Sequence, residues 1–447
     1  MTSLEPGSSA ARPLPAAPVS ERWHAAIAQR VEALPVRTAI VLPGGQQLGA
    51  DHAEVTLRLT DHRQLALLAA GQMGRLAEEY VEGRMGIDGP LRALMELSAA
   101  LIPEDPTQPS RLSAVARWWA DLVMSRWSLR HHTREKDRAQ IQFHYDVSDD
   151  FYALWLDPKR VYSCAYFPSD DATLAQAQEA KLDLICRKLM LKAGERFLDI
   201  GAGWGGLLLW AAQHYGVRAH GVTLSQHQHA HVNRLIDELG LRARVRMELL
   251  DYRDIPERGS DHDGSALGGP YDKIASIGMF EHVGRVNLVP YFEKIRRLLA
   301  PGGMILNHGI TKGGRPEGHF GGGIGDFMDR YIFPGGELVH AAHVAAYIAD
   351  AGLELVDTEN LRPHYAKTLW AWSDGLEAQL TEARRIVDEK IVRAYRLYLA
   401  GCAMAFERGW MSLHQFVATR PDGVVGPGAG LRGAQSVYPF RRDHIHR

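Results

Sequence analysis

The sequence predicts an α/β protein in which a doubly wound, mostly parallel, seven-stranded sheet follows a small α+β domain. Seven short strand-like runs alternate with helical patterns after residue 141, at 196–200, 218–224, 245–251, 271–279, 303–310, 353–360 and 413–420. Such alternation is typical of parallel strands joined by helices that cover both faces of a sheet. A glycine-rich turn follows the first run, as it does in nucleotide-binding sheets. The last run stands apart from the others, and we expect it to add antiparallel at the edge.

The N-terminal part divides into a tail and a small domain. Residues 1–20 are rich in proline, alanine and serine, which cannot form a core, and they predict a disordered tail. Residues 21–108 predict an α+β domain with a helix at 21–34, strands at 37–42 and 53–59, and helices near 63–81 and 90–101. In the second strand Val55, Leu57 and Leu59 alternate with polar residues, the pattern of a half-buried strand.

The segment 109–140 predicts basic, tryptophan-rich connecting helices. Trp118, Trp119 and Trp127 lie among arginines and lysines, a combination that suits a membrane surface, where indoles sit at headgroup depth. A solvated helix whose tryptophans pack between domains is an equally good interpretation. The basic footprint is too small for nucleic acid. Residues 421–447 are glycine-rich and then basic, and they predict a flexible C-terminal tail.

Composition excludes several classes of protein. The net charge of −2 creates no overall field that would attract nucleic acid or anionic lipid. Cys164, Cys186 and Cys402 lie far apart without a CxxC pair, which argues against structural zinc and against a disulfide framework. The chain has no secretory signal pattern and no apolar stretch of about 18 residues that could span a bilayer. We therefore expect a soluble, cytoplasmic protein without a metal centre.

The glycine turn after residue 200 predicts a nucleotide-type pocket at the carboxyl edge of the sheet. Gly201, Gly203 and Gly205 allow a tight turn and a close approach of a ligand to the backbone. NAD, FAD and S-adenosylmethionine all bind at such turns, and a plain turn is also compatible with the pattern. The G-x-G-x-G spacing and Asp199 at the strand end favour S-adenosylmethionine. NAD is disfavoured but stays open, because residues 221–225 contain no acid to bind its ribose.

Seven motifs in order give the chain a family resemblance. They are HYDVSDDFY (144–152), YSCAYF (162–167), the glycine turn, GVTLS (221–225), GMFEHVG (278–284), YIFPGG (331–336) and ENLRPHYAKTL (359–369). Together they closely resemble the cyclopropane-fatty-acyl-phospholipid synthases, which include the mycolic acid cyclopropane synthases. The match spans 141–420, and residues 21–105 look like the N-terminal domain of the longer bacterial members. The resemblance implies an S-adenosylmethionine-dependent methyltransferase fold for 141–420.

The reaction of that family converts a cis double bond of a phospholipid acyl chain into a cyclopropane ring. Methyl transfer leaves a carbocation on the chain, and loss of a proton from the new methyl group closes the ring. The resemblance implies a dry, oriented pocket with bound bicarbonate as the base. It maps the bicarbonate ligands onto Cys164, Glu281, His308, Ile310 and Tyr365.

The resemblance also assigns the contacts of S-adenosylmethionine. They are Tyr162, Ser163, Asp199, Gly201, Gly203, Gly205, Thr223, Leu224, Gln228, Asp251 and Tyr252. We expect the carboxylate of Asp251 to accept a hydrogen bond from the adenine amino group. Ala202 stands where members of the family often have cysteine, and a small residue fits there equally well.

Each catalytic candidate has an ordinary structural alternative. Cys164 alone is more often a small buried hydrophobe, and Glu281 can simply favour a helix N-terminus. His308 and Tyr365 can be core residues whose polar atoms are satisfied. Their places in matching motifs favour function, and a carboxylate that faces bicarbonate implies a raised pKa at Glu281. A long helix within 372–409 carries an apolar stripe that is either core or part of an acyl tunnel.

We therefore expect a C-methyltransferase that acts on unsaturated phospholipid at the inner face of the cell membrane, with no nucleic acid partner. The N-terminal domain leaves room for a homodimer. Three alternatives stay open: a relative that makes a methyl- or methylene-branched chain, a methyltransferase for a small soluble acceptor, and a lipid-binding protein with an inactive catalytic fold. The complete set of bicarbonate ligands favours ring closure over the first of these.

Overall fold

The computed structural model describes residues 21–102, 148–258, 268–314, 321, 323–421 and 442–446. The predicted disordered tail, the connecting helices of 109–140 and most of the C-terminal tail lie outside these ranges. The predictions made for those three segments therefore remain predictions.

The N-terminal domain is a four-stranded sheet with helices packed against it. Its elements are α1 (Glu21–Glu32), β1 (Thr38–Val41), β2 (Gln47–Gly49), β3 (Val55–Leu59), α2 (His62–Ala69), α3 (Met73–Val81), β4 (Met85–Asp88) and α4 (Leu91–Leu101). The strand order is β2-β1-β3-β4, in which β1 and β3 are parallel and the two outer pairs are antiparallel. The domain thus has the α+β organisation that its sequence predicts.

Two details of this domain differ from the sequence prediction. The single helix predicted at 63–81 is wrong, because Gly71 has a φ of 65° and divides the segment into α2 and α3. Glycine adopts this left-handed conformation with little steric cost. Strands β2 and β4 are not predicted, since both are short and flanked by glycines that read as turns.

The larger domain contains the predicted seven-stranded sheet. Its strands are β5 (Arg196–Ile200), β6 (Arg218–Thr223), β7 (Val245–Leu249), β8 (Tyr271–Ile277), β9 (Leu299–Lys312), β10 (Glu354–Asn360) and β11 (Met411–Thr419). The order is β10-β11-β9-β8-β5-β6-β7, and the five strands from β9 to β7 run parallel. The predicted doubly wound, mostly parallel sheet is confirmed.

The position of the last strand corrects one prediction. β11 is antiparallel, as expected, but it lies between β9 and β10 instead of at the edge. The edge strand is β10, whose residues are all half-buried or exposed. β11 is a nine-residue strand in which six of the last seven residues are buried, as is typical of an inner strand.

Helices cover both faces of this sheet. They are α5 (Asp149–Ala153), α6 (Leu174–Lys188), α7 (Gly206–Tyr215), α8 (Gln226–Glu238), α9 (Leu288–Leu298), α10 (Ile324–Tyr331), α11 (Ala341–Asp350), α12 (Arg362–Ala378), α13 (Leu380–Ile386), α14 (Glu389–Glu407) and α15 (Asp443–His446). Phe197 packs in one apolar cluster with α6, α7 and α8, and its neighbour Leu198 packs in another with α9 and α11. Successive side chains point to opposite faces of a strand, so both faces of β5 are buried. None of the helices in the described ranges is long and apolar enough to cross a bilayer.

A third apolar cluster joins the two domains. It contains residues of β3, α3 and α4 together with residues of α12 and α14. The helix predicted within 372–409 is α14 over its second half, whereas its first half belongs to α12 and the short α13. Asp388 begins α14 by accepting a hydrogen bond from the backbone N–H of Lys390, as an N-cap residue does.

The last helix lies against the larger domain. Ile445 is buried beside α6, where the guanidinium of Arg187 donates to its backbone carbonyl. Arg442 forms an ion pair with Asp357 of β10 at 2.9 Å. This end of the chain is therefore packed, although the sequence predicts a flexible tail over all of 421–447.

Candidate active site

The glycine turn connects β5 to α7 in a conformation that requires glycine. Gly201, Gly203 and Gly205 have φ angles of 75°, 56° and 84°, which L-residues with a side chain rarely adopt. A Cβ on Gly205 would also stand 2.9 Å from a methyl carbon of Val232. The turn leads into the N-terminus of α7, where the first N–H groups have no partner within the helix.

A cavity of about 90 Å³ lies beside this turn, at the carboxyl ends of β5, β6, β7 and β8. Seven of the residues assigned to S-adenosylmethionine line it: Gly201, Gly203, Thr223, Leu224, Gln228, Asp251 and Tyr252. Ligands of doubly wound sheets bind at this edge. The other four assigned residues lie elsewhere, since Asp199 and Gly205 do not line the cavity, and Tyr162 and Ser163 line its larger neighbour.

Hydrogen bonds hold the polar side chains of this cavity in place. The hydroxyl of Thr223 donates to the side-chain oxygen of Gln228 at 2.8 Å, and Ser225 caps α8. Both carboxylate oxygens of Asp251 accept from the guanidinium of Arg253, at 2.9 and 2.6 Å. Arg253 therefore fixes the carboxylate that is expected to meet the adenine, an arrangement that the sequence motif does not reveal.

Two buried ionisable side chains, Asp199 and Lys181, influence each other's charge state. Burial raises the pKa of Asp199 to about 7, an effect that the positive charge of Lys181 opposes. Burial also lowers the pKa of Lys181 to about 8, and its ammonium donates to the hydroxyl of Ser163 at 2.7 Å. Sequence reasoning missed Lys181, because a lysine on a helix is normally exposed. Through this bond Lys181 orients one of the residues assigned to the methyl donor.

The second cavity is larger, with a volume of about 320 Å³. All five residues assigned to the bicarbonate site line it: Cys164, Glu281, His308, Ile310 and Tyr365. Gly278 and His282 line both cavities, so the two spaces adjoin at the end of β8. The sequence gives no separate signal for this role of His282.

Glu281 is held at the junction of β8 and β9. It belongs to a short 3₁₀ turn (Phe280–His282), and its Oε1 accepts the backbone N–H of Ile310 at 2.7 Å. Its Oε2 is buried without a hydrogen-bond partner among the described residues. Burial raises the pKa of this carboxyl to about 7. Gly309 permits the 3₁₀ turn to lie this close to β9, because a Cβ on Gly309 would stand 1.9 Å from a ring carbon of Phe280.

His308 ends a directional chain of hydrogen bonds. The ammonium of Lys188, which also pairs with Glu359, donates to Oε1 of Gln415 at 2.6 Å. A lysine ammonium can only donate, so the amide nitrogen of Gln415 faces Nδ1 of His308, 3.1 Å away. An amide N–H also only donates, so Nδ1 accepts and the proton of the neutral ring lies on Nε2.

The protonated Nε2 of His308 is the free end of this chain. It is buried and has no hydrogen-bond partner among the described residues. Burial and the charges of Lys181 and Lys188 lower the pKa of the ring well below its usual value, which keeps it neutral. The site thus offers an N–H donor beside a carboxyl group that can carry a proton near neutral pH, a donor set that fits a small oxyanion.

Cys164 and Tyr365 supply the neutral part of the same wall. The thiol of Cys164 is fully buried, donates to the carbonyl of Ala165 at 3.2 Å and has a raised pKa because of its burial. The ring of Tyr365 packs against Phe406 with centroids 4.7 Å apart. Other aromatic rings of the wall belong to Tyr162, Phe327, Phe333, Tyr398, Phe406 and Trp410.

The sheet, the glycine turn and the two adjoining cavities define an S-adenosylmethionine-dependent methyltransferase. The chain belongs to the mycolic acid cyclopropane synthetase family, whose model matches residues 132–416. It is 43% identical to a probable fatty acid methyltransferase of Pseudomonas putida, over 82% of this chain and 88% of that protein.

Solved structures of the family agree with this assignment. The cyclopropane synthase MmaA2 of Mycobacterium tuberculosis superposes with a TM-score of 0.58 and 36% identity, over 63% of this chain and 98% of that one. The mycolic acid cyclopropane synthase CmaA1, solved with S-adenosylhomocysteine and CTAB, gives a TM-score of 0.57 at 36% identity over the same shares. The S-adenosylmethionine-dependent fold expected from the sequence is thereby confirmed.

Proposed function

We propose that this enzyme transfers a methyl group to a cis double bond of a phospholipid acyl chain and closes a cyclopropane ring. One observation carries the proposal: an apolar cavity contains the buried Glu281 and His308 and adjoins the methyl-donor cavity at Gly278 and His282. A hydrocarbon chain and a bound oxyanion would thus meet beside the methyl donor.

The methyl donor, S-adenosylmethionine, supplies an electrophilic methyl group. The turn around Gly201 and Gly203, together with Thr223, Gln228 and Asp251, would hold it at the sheet edge. An isolated double bond is a weak nucleophile, so its orientation and the exclusion of water must provide much of the rate. The apolar wall of the larger cavity supports both effects.

The surroundings of the double bond suit a cationic chain. Faces of aromatic rings stabilise a nearby positive charge, and Tyr162, Tyr398 and Phe333 belong to the wall. A nucleophile within reach would trap the cation. Burial raises the pKa of Cys164 far above neutrality, so the residue presents a weakly nucleophilic thiol and not a thiolate.

We propose bicarbonate as the oxyanion and the base. Nε2–H of His308 would donate to it, and Glu281, whose pKa is raised to about 7, would share a proton with it. A second carboxylate beside an anion is disfavoured unless one of them is protonated. The raised pKa of Glu281 therefore supports an anion at this position.

A branched product is the second candidate. It is favoured by the name of the P. putida relative, a probable fatty acid methyltransferase, which leaves both the fate of the cation and the acyl carrier open. Removal of a proton from a neighbouring chain carbon would give a branched, unsaturated chain. The position of the base relative to the new methyl group decides between the two products.

Mass spectrometry of lipids from cells that express the enzyme tests the proposal. We expect phospholipid acyl chains that gain one CH₂ and that resist mild hydrogenation, as a ring does and an alkene does not. A methylene-branched product would overturn ring closure. Methylation of free fatty acid alone would overturn the phospholipid substrate. Full activity in bicarbonate-depleted buffer would overturn the choice of base.

Access to a phospholipid requires the membrane surface, and we propose that 109–140 provides it at the inner face of the cell membrane. The segment lies outside the described residues, and its support is the sequence pattern of tryptophans among basic residues. We also propose a homodimer, on the basis of the sequence alone. Sedimentation with vesicles and light scattering, respectively, test these two proposals.

A further inference from the structure

The wall of the larger cavity comes from both domains. The larger domain supplies the polar residues of the site, whereas the N-terminal domain supplies apolar side chains, among them Met73, Leu76, Met95, Leu97 and Leu101. The hydroxyl of Ser98, which also lines the cavity, donates to the carbonyl of Leu94 at 2.8 Å. The surface that the N-terminal domain offers is therefore hydrocarbon-like.

This part of the wall is firmly attached. The two domains share one apolar cluster, and α3 touches the larger domain so closely that a Cβ on Gly74 would stand 1.9 Å from the carbonyl oxygen of Gly323. Polar contacts surround the junction, including the bond from Arg396 to the hydroxyl of Tyr80 at 2.5 Å. Packed interfaces of this kind do not deform continuously, so the wall has a fixed shape.

Gly401 keeps the space between the domains open. It lies within the 19-residue helix α14, where glycine costs about 1 kcal/mol relative to alanine. Neither a positive φ nor a close backbone contact requires it, since the one heavy atom within 4 Å of an added Cβ is the sulfur of Met95, at 4.0 Å. What the glycine provides is volume in the cavity, between α14 and α4.

We propose that the N-terminal domain forms part of the acyl-binding site and that the gap between Gly401 and Met95 sets the length of acyl chain accepted. This inference rests on the proposed function. The family's model begins its match at residue 132, so this wall lies outside the segment that the model covers. The catalytic residues need no help from it, and its contribution is to substrate selection.

Graded filling of the gap tests this proposal. The substitutions Gly401→Ala, Gly401→Val and Gly401→Leu add increasing volume at one point, and Met95→Phe adds it from the N-terminal side. The purified full-length variants are given vesicles of monounsaturated phosphatidylglycerol in two series. One series varies the acyl length on the carboxyl side of the double bond, and the other varies it on the methyl side.

We expect the ratio of kcat/KM for long over short chains to fall at least about tenfold in Gly401→Leu, in one of the two series. Gly401→Ala is the matched control and should keep the wild-type ratio. Met95→Phe should shift the ratio in the same series. Binding of S-adenosylmethionine, measured by calorimetry, should stay unchanged in all variants and also reports correct folding.

Different results would overturn the role of the N-terminal domain and the proposed function. Wild-type activity with unchanged chain preference in Gly401→Leu and Met95→Phe would overturn the role of the N-terminal domain alone. Absence of any lipid product from the wild-type enzyme would instead overturn the proposed function. If Gly401→Leu does not fold, the smaller Gly401→Val and the separate Met95→Phe decide the question through the same ratio.

Discussion

Replacing Gln415 by glutamate should reverse the hydrogen bond that sets the tautomer of His308. In the native chain the amide of Gln415 donates to Nδ1 at 3.1 Å and accepts from Lys188 at 2.6 Å. A carboxylate of the same shape can still accept from Lys188, but it can only accept from the imidazole. The neutral ring must then carry its proton on Nδ1, and Nε2 loses its capacity to donate.

The size of the effect follows from the loss of one donor to an anion. Removal of a single donor from a preorganised oxyanion site typically costs 10²- to 10³-fold in kcat. The neighbouring carboxylate also favours the imidazolium and raises the pKa of His308. Below that pKa both ring nitrogens carry protons and donation from Nε2 returns. The variant should therefore lose activity above that pKa and regain it as the pH falls.

The assay is kcat on phospholipid vesicles from pH 6 to 9, with ¹⁵N chemical shifts of the histidine ring as a direct report of the tautomer. The conservative Lys188→Arg keeps a donor toward Oε1 of Gln415 and serves as the control, with a pH profile of wild-type shape. A Gln415→Glu enzyme with wild-type kcat throughout this range would show that donation from Nε2 of His308 plays no part in the reaction.

Three further predictions concern the site and the membrane. Glu281→Gln should lower kcat at least about 100-fold with unchanged affinity for S-adenosylmethionine by calorimetry; normal turnover would remove Glu281 from the mechanism. Burial raises the pKa of Glu281 from 4.5 to about 7, so folding is disfavoured as the pH rises through this window, by about 3 kcal/mol. Urea unfolding at pH 5 and pH 8 should show that Glu281→Gln removes this loss, and equal pH dependence of the two proteins would contradict it. Joint replacement of Trp118, Trp119 and Trp127 by alanine should weaken sedimentation with anionic vesicles while activity on detergent-dispersed lipid is kept; undiminished sedimentation would exclude these indoles.

Local sequence patterns were sufficient for the main sheet. All seven strands are found where the sequence predicts them. The apolar runs of β5 and β8 are typical of parallel strands that are buried on both faces. The residues assigned to the two sites come together for a related reason. Most of them follow the carboxyl ends of neighbouring strands, and parallel strands bring those ends to one edge.

The sequence does not predict features that depend on partners distant in the chain. The antiparallel β11 lies between β9 and β10, where its buried residues complete the inner part of the sheet. The residue pattern of β11 does not indicate which strands it pairs with. The break at Gly71 depends on one left-handed residue. In both cases the local sequence is compatible with more than one structure, and tertiary packing selects one of them.

What the sequence by itself determined is the class of fold, the glycine turn and the residues that meet in the larger cavity. Only the tertiary structure determined the protonation states of those residues. The raised pKa of Glu281 follows from burial, and the proton on Nε2 of His308 follows from Gln415 and Lys188, which lie in β11 and α6. The apolar wall from the N-terminal domain likewise exists only because α14 and α4 pack together. Desolvation and cavity shape are properties of the assembled fold, so no local pattern can encode them.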